Sequence, residues 1–94
     1  MALTLPSASP SEVVTFFHSL TGQEAYILAL ALQGWRSNEI GNKLSIVKCT
    51  VDTHRRNIMT KWHIAYVTIH TGKRAAREMM AIIRPYAATY LPPV

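Results

Sequence analysis

A chain of 94 residues with 49% hydrophobic content suffices for one small domain with one core, and it is too apolar to be wholly disordered. Its single cysteine, Cys49, excludes an internal disulfide and a Cys-based zinc site, and fits a reducing compartment. Ten Lys and Arg against five Asp and Glu give a net charge of +5. Eight of the ten lie after position 47, opposed only by Asp52 and Glu78, which favours a polyanionic partner: DNA, RNA or an acidic membrane surface. The apolar run from Ala25 to Leu32 falls far short of the ~20 residues of a membrane span. The N-terminus has neither the basic start nor the apolar core of a signal peptide. A cytoplasmic protein with no membrane partner is therefore expected.

Residues 1–8 lack periodicity and are expected to form a flexible tail. Ser9-Pro10-Ser11-Glu12 then starts a short helix over 9–19: Ser9 caps, Pro10 suits the first helical position, and Glu12 stands three residues after the cap. Leu20-Thr21-Gly22-Gln23-Glu24 repeats the device, opening a second helix that ends at Gly34. Tyr26 to Leu32 alternates like a strand, but Ala, Leu and Gln favour helix. A third helix is expected from Asn38 to Leu44, seeded by Ser37. Gly41 inside it weakens the helix by roughly 1 kcal/mol relative to Ala, and a close helix–helix approach would explain it. Ser45-Ile46-Val47 makes a turn. After Ile64 the pattern supports either one helix from Tyr66 to Arg84 or a shorter one capped by Thr71, with Ala76, Met79, Met80 and Ile83 on one face. Pro85 stops it, and residues 85–94 are expected to be a tail.

The stretch from Val47 to Ile64 is the most informative. Wound at 100° per residue, Val51, Ile58 and Trp62 form one apolar stripe with Arg55 beside it. Cys49, Thr53, Arg56 and Thr60 lie opposite, flanked by Asp52 and Asn57, with Met59 at the edge. A face of short hydroxyls, an amide and a guanidinium suits a solvated surface, and equally a nucleic-acid groove. The surroundings decide: short helix, tight turn, then a helix with a basic polar face is the helix-turn-helix arrangement, whose second helix enters the major groove.

Leu20-Thr21-x-x-Glu24, Ile27-Leu28, Gly34, Glu39-Ile40, Leu44-x-Ile46, Thr50-Val51-x-Thr53-His54, Asn57-Ile58 and Lys61 follow in one register without a gap. This pattern resembles the LuxR-type (GerE-type) DNA-binding domain. The resemblance implies an all-α, four-helix helix-turn-helix domain over 20–84, preceded here by the extra helix at 9–19. It implies a homodimer on double-stranded DNA and a role in bacterial transcription, often activation, with RNA polymerase or another regulator as a further partner. Carried over by position, Asp52, Thr53 and Arg56 are base-reading candidates on a recognition helix over 48–62. Lys48, Thr50, His54, Asn57 and Lys61 are phosphate candidates. The dimer contact falls on the fourth helix, at Ala76, Met79, Met80 and Ile83.

The departures from the family pattern are specific. Asp52 stands where a basic residue is usual; it can accept from cytosine N4, or pair with Arg56 one turn later, and the pairing is favoured. Val47 replaces a capping Ser, a loss of about 1 kcal/mol. Arg36 takes the cap position before the third helix, where Ser37 can substitute. Trp62-His63 replaces Leu-Gly, and Val67 stands at a common Arg position. Nineteen residues before Leu20 cannot hold a receiver or ligand-binding domain, so signal input is expected through expression level, a partner or modification.

Other chemistries find little support. His18, His54, His63 and His70 have no carboxylate close in sequence to His63 or His70, so no metal site or cofactor is expected. Cys49 beside Lys48 reads as an inert thiol rather than a redox switch. Thr71-Gly72-Lys73-Arg74 lacks the remaining glycine pattern of a phosphate loop. No nucleophile–base arrangement suggests an enzyme. The rival reading is a helix-turn-helix co-regulator or anti-activator acting by protein contact, motivated by Asp52 and the missing Val47 cap. An RNA binder is weaker, because no exposed aromatic is available to stack on bases.

Overall fold

The computed structural model describes residues 8–94, and among these every regular element is helical. The tail expected at 1–8 lies outside the described residues apart from Ala8, which rests on the core. Helix α1 (Pro10–Ser19) begins as its sequence dictates: Glu12 N–H donates to Ser9 Oγ at 3.3 Å, and Ser9 N–H donates back to Glu12 Oε1 at 2.8 Å. Helix α2 (Gly22–Leu32) repeats the box between Thr21 and Glu24 at 3.1 and 2.9 Å. Gly34, at φ 95°, follows its end in a conformation that glycine adopts without steric cost.

Helix α3 (Ser37–Leu44) starts one residue earlier than expected. Arg36 is its N-cap residue and Ser37 its first helical residue, so Ser37 does not cap; instead Arg36 N–H donates to Glu39 Oε1 at 2.8 Å. Gly41 is required by the turn rather than by a neighbouring helix. A Cβ there would stand 2.6 Å from the Ile46 carbonyl oxygen, while Ile46 N–H donates to the Gly41 carbonyl at 2.9 Å. Ser45 adopts the left-handed conformation (φ 58°) that reverses the chain.

Helix α4 (Lys48–Ala65) runs a turn beyond the expected end. Its stripe of Val51, Ile58 and Trp62 is buried against α1, α2 and α3, as the periodicity predicts. Trp62 meets Phe16 of α1 edge-on at 5.1 Å and lies 4.9 Å from Tyr66. The departure at Trp62 and the added helix α1 thus complement each other: the indole fills the space that Phe16 borders.

The shorter alternative holds for helix α5, which spans Gly72–Ile83 with Thr71 as N-cap residue, although the Thr71 hydroxyl accepts no capping bond. The preceding link is tied down by Thr68 Oγ1, which donates to Glu78 Oε1 and accepts from His70 N–H at 3.1 Å. The expected tail at 85–94 is instead folded. A 3₁₀ turn (Arg84–Tyr86) leads into α6 (Ala87–Tyr90), Leu91 is buried, and Tyr90 stacks on Phe17 at 5.1 Å. Pro85 ends α5 as expected but sits in the first turn of the 3₁₀ helix, where proline is tolerated, and apolar contact with α1 holds the segment that follows.

Candidate nucleic-acid interface

With its apolar stripe seated on three helices, α4 presents the opposite face to solvent. Cys49, Thr53, Arg56, Asn57 and Thr60 are exposed, as is Lys48 in the first turn. Asp52, Thr50 and His54 are half-buried beside them. Thr53 Oγ1 donates to the Cys49 carbonyl at 3.0 Å and Thr60 Oγ1 to the Arg56 carbonyl at 3.1 Å. Each hydroxyl hydrogen is therefore engaged with the helix backbone, leaving the oxygen as an acceptor and the methyl as an apolar contact. Arg56 takes part in none of the ion pairs among the described residues. Its five donors in a planar fork remain available for a guanine edge or a phosphate.

One expected pairing requires correction, and one phosphate candidate has a partner within the protein. The Asp52 carboxylate does not bind Arg56; its Oδ2 lies 2.8 Å from Lys48 Nζ, one turn earlier. The Lys48 hydrogen bond, joined by the Ser37 hydroxyl of α3, holds the Asp52 carboxyl below the usual range. Lys61, a phosphate candidate, is already engaged in this structure. Its ammonium reaches inward 2.5 Å from Glu24 Oε1, linking α4 to the start of α2, and the Glu24 side chain is only 5% exposed. Burial pushes the Glu24 carboxyl up, but hydrogen bonds from Lys61 and Thr21 and the Lys61 charge outweigh it, and its pKa falls below the ordinary glutamate value. Desolvating a carboxylate at the α2 start requires a cation, and Lys61 supplies it.

The apolar face of α5 is likewise turned inward. Met79 and Ile83, expected at a dimer contact, are buried in the core of the protomer together with Ala75 and Ile82. Ala76 and Met80 are half-buried and border, with Met59 and Arg55, a shallow apolar depression between α4 and α5. The outer surface of α5 carries Lys73, Arg74 and Arg77, all exposed.

Glu24, Ser37 and Phe16 escaped the sequence reading of this site. Glu24 has a local signature as part of a capping box, but its partner Lys61 lies 37 residues away, and no spacing rule reaches that far. No helix is long and apolar enough to cross a membrane among the described residues.

Comparison with known proteins agrees with this arrangement. Over 55 residues the chain is 40% identical to the uncharacterized response regulatory protein YgeK of Escherichia coli K12, covering 58% of this chain and 34% of that protein. Over 57 residues it is 35% identical to the response regulator protein TmoT of Ectopseudomonas mendocina, covering 61% of this chain and 26% of that one. The chain thus matches only about a third or less of the length of these relatives. No solved structure matches it. The family described as bacterial regulatory proteins, luxR family, matches residues 18–68, from the end of α1 through the helix-turn-helix to the start of the α4–α5 link. With more than half of its residues inside that match, the chain belongs to the LuxR family of bacterial regulatory proteins.

Proposed function

We propose that the chain is a sequence-specific DNA-binding transcriptional regulator, an activator by family resemblance, that inserts α4 into the major groove and acts as a homodimer. The observation that carries this reading is the outward face of α4: an unpaired Arg56 beside Thr53, Cys49 and Asn57, on a helix held by a buried stripe within the LuxR-family match. Arg56 and Thr53 read bases. Thr50, His54 and Asn57 fix the helix on the backbone, where the α4 N-terminus adds its partial positive charge, with no acid in its first turn. Lys61 supports this surface from behind, and Lys48 contributes once released from Asp52. The dimer contact has Ala76 and Met80 to work with, next to Met59. Selection from a random duplex library at ~50 mM salt, where phosphate contacts are strongest, should enrich a two-fold symmetric site. Enrichment of no site contradicts the reading.

A second reading is supported by a separate surface. At the end of α4 and along the link to α5, Ile64, Val67 and Ile69 are 80%, 89% and 92% exposed. Adjacent exposed aliphatic side chains favour contact with another protein, which fits a co-regulator or anti-activator with weak DNA affinity of its own. Absence of any duplex shift at low salt, together with a partner whose binding is lost on Val67→Ser/Ile69→Ser, would favour it.

A further inference from the structure

Asp52 is the single acidic side chain on α4, and it stands on the side turned away from the core. Its carboxylate and the Lys48 ammonium are 2.8 Å apart while 40% and 64% exposed, so the pair is open to exchange with an incoming ligand. While the pair is closed, Lys48 offers no unopposed charge to a phosphate and displaces no counterion from a duplex. Once it opens, Asp52 keeps only the neutral Ser37 hydroxyl and has lost its cationic donor, so acceptor capacity is free on the carboxylate. Guanine and thymine edges in the major groove offer it only further acceptors at O6, N7 and O4; adenine offers its N6 amino group beside the N7 acceptor, whereas cytosine offers the N4 amino group with no acceptor next to it.

We propose that Asp52 is a selectivity residue: it withholds Lys48 from the phosphates of arbitrary duplexes, and it lets α4 settle where a cytosine N4 faces its carboxylate. At such a site Lys48 moves from Asp52 to the backbone and cytosine takes its place, so the carboxylate exchanges one donor for another. At other sites the exchange leaves a carboxylate facing acceptors within a polyanion, and the pair stays closed. The inference rests on the proposed major-groove placement of α4 and deepens it.

The test compares the wild type with Asp52→Asn, an isosteric change at a half-buried position outside the core, with folding checked by circular dichroism. Each protein is taken through random-duplex selection and then titrated by fluorescence anisotropy on its selected duplex and on a scrambled one across a salt series. The expected result for Asp52→Asn is about tenfold tighter binding to the scrambled duplex, with a log–log salt slope steeper by about one unit. The cytosine selected by the wild type at one position per half-site should also give way to adenine, whose N6 and N7 an amide pairs together, with the rest of the site kept. Binding by the variant alone, with none by the wild type, overturns the proposal, because the wild type then selects no cytosine. If the wild type selects a site and the variant matches it in site, scrambled-duplex affinity and slope, this proposal fails while the DNA-reading function stands. If neither protein binds any duplex, both fail.

Discussion

Although it lies in the strongly basic second half of the chain, Lys61 turns its charge inward to the buried Glu24. Removing it leaves a desolvated carboxylate without its cation. Lys61→Met should therefore cost about 2 kcal/mol in urea unfolding, tempered because the lysine end is 28% exposed. The pH dependence has a definite sign. Because the folded-state pKa of Glu24 lies below its unfolded value, the pair contributes its full stability above the ordinary glutamate range. That contribution is lost as pH falls through the folded pKa. Wild type should lose stability on acidification below about pH 5, and Lys61→Met should lose less over the same interval; parallel acid limbs would contradict the pairing. At Gly41 the Ile46 carbonyl occupies the space a methyl group would need. Gly41→Ala should therefore destabilise by about 1–2 kcal/mol despite its better helix propensity, as thermal unfolding would register.

The elements differ in how far they could be read from sequence alone, and the reason is the range of the forces that define them. The starts of α1 and α2 are legible because both partners of each capping box lie within four residues. The α4 stripe is legible because an 18-residue helix repeats its buried positions several times. The folded segment after Pro85 was not, because its order comes from Tyr90 meeting Phe17 across the chain. The inward turn of Met79 and Ile83 was not either: periodicity identifies an apolar face but not whether it meets its own core or a second copy. The role of α1 follows the same logic, since Phe16 acquires its meaning from Trp62. Phe16→Ala should cost about 3–4 kcal/mol and expose Trp62, giving a red-shifted emission well before global unfolding. An unchanged emission and a loss under 1 kcal/mol would show that α1 is a dispensable addition.

At the scale of the whole molecule, the fold joins a rigid seat to a cationic exterior. Eight of ten basic residues lie after position 47, but the structure gives six of them distinct roles. Lys61 is engaged with Glu24, Lys48 is paired with Asp52, Arg56 points outward unpaired, and Lys73, Arg74 and Arg77 are exposed on α5. The net charge of the sequence therefore overstates what the α4 face offers to phosphate, and the salt slope of binding should be correspondingly shallow. The central claim is that Arg56 reads a base rather than merely adding charge. Its most direct test is the affinity of wild type and Arg56→Ala for the selected duplex and a scrambled duplex, measured side by side at one salt concentration. Base reading by Arg56 predicts a loss of about 1–3 kcal/mol on the selected duplex and a much smaller loss on the scrambled one. Equal losses on both would contradict it.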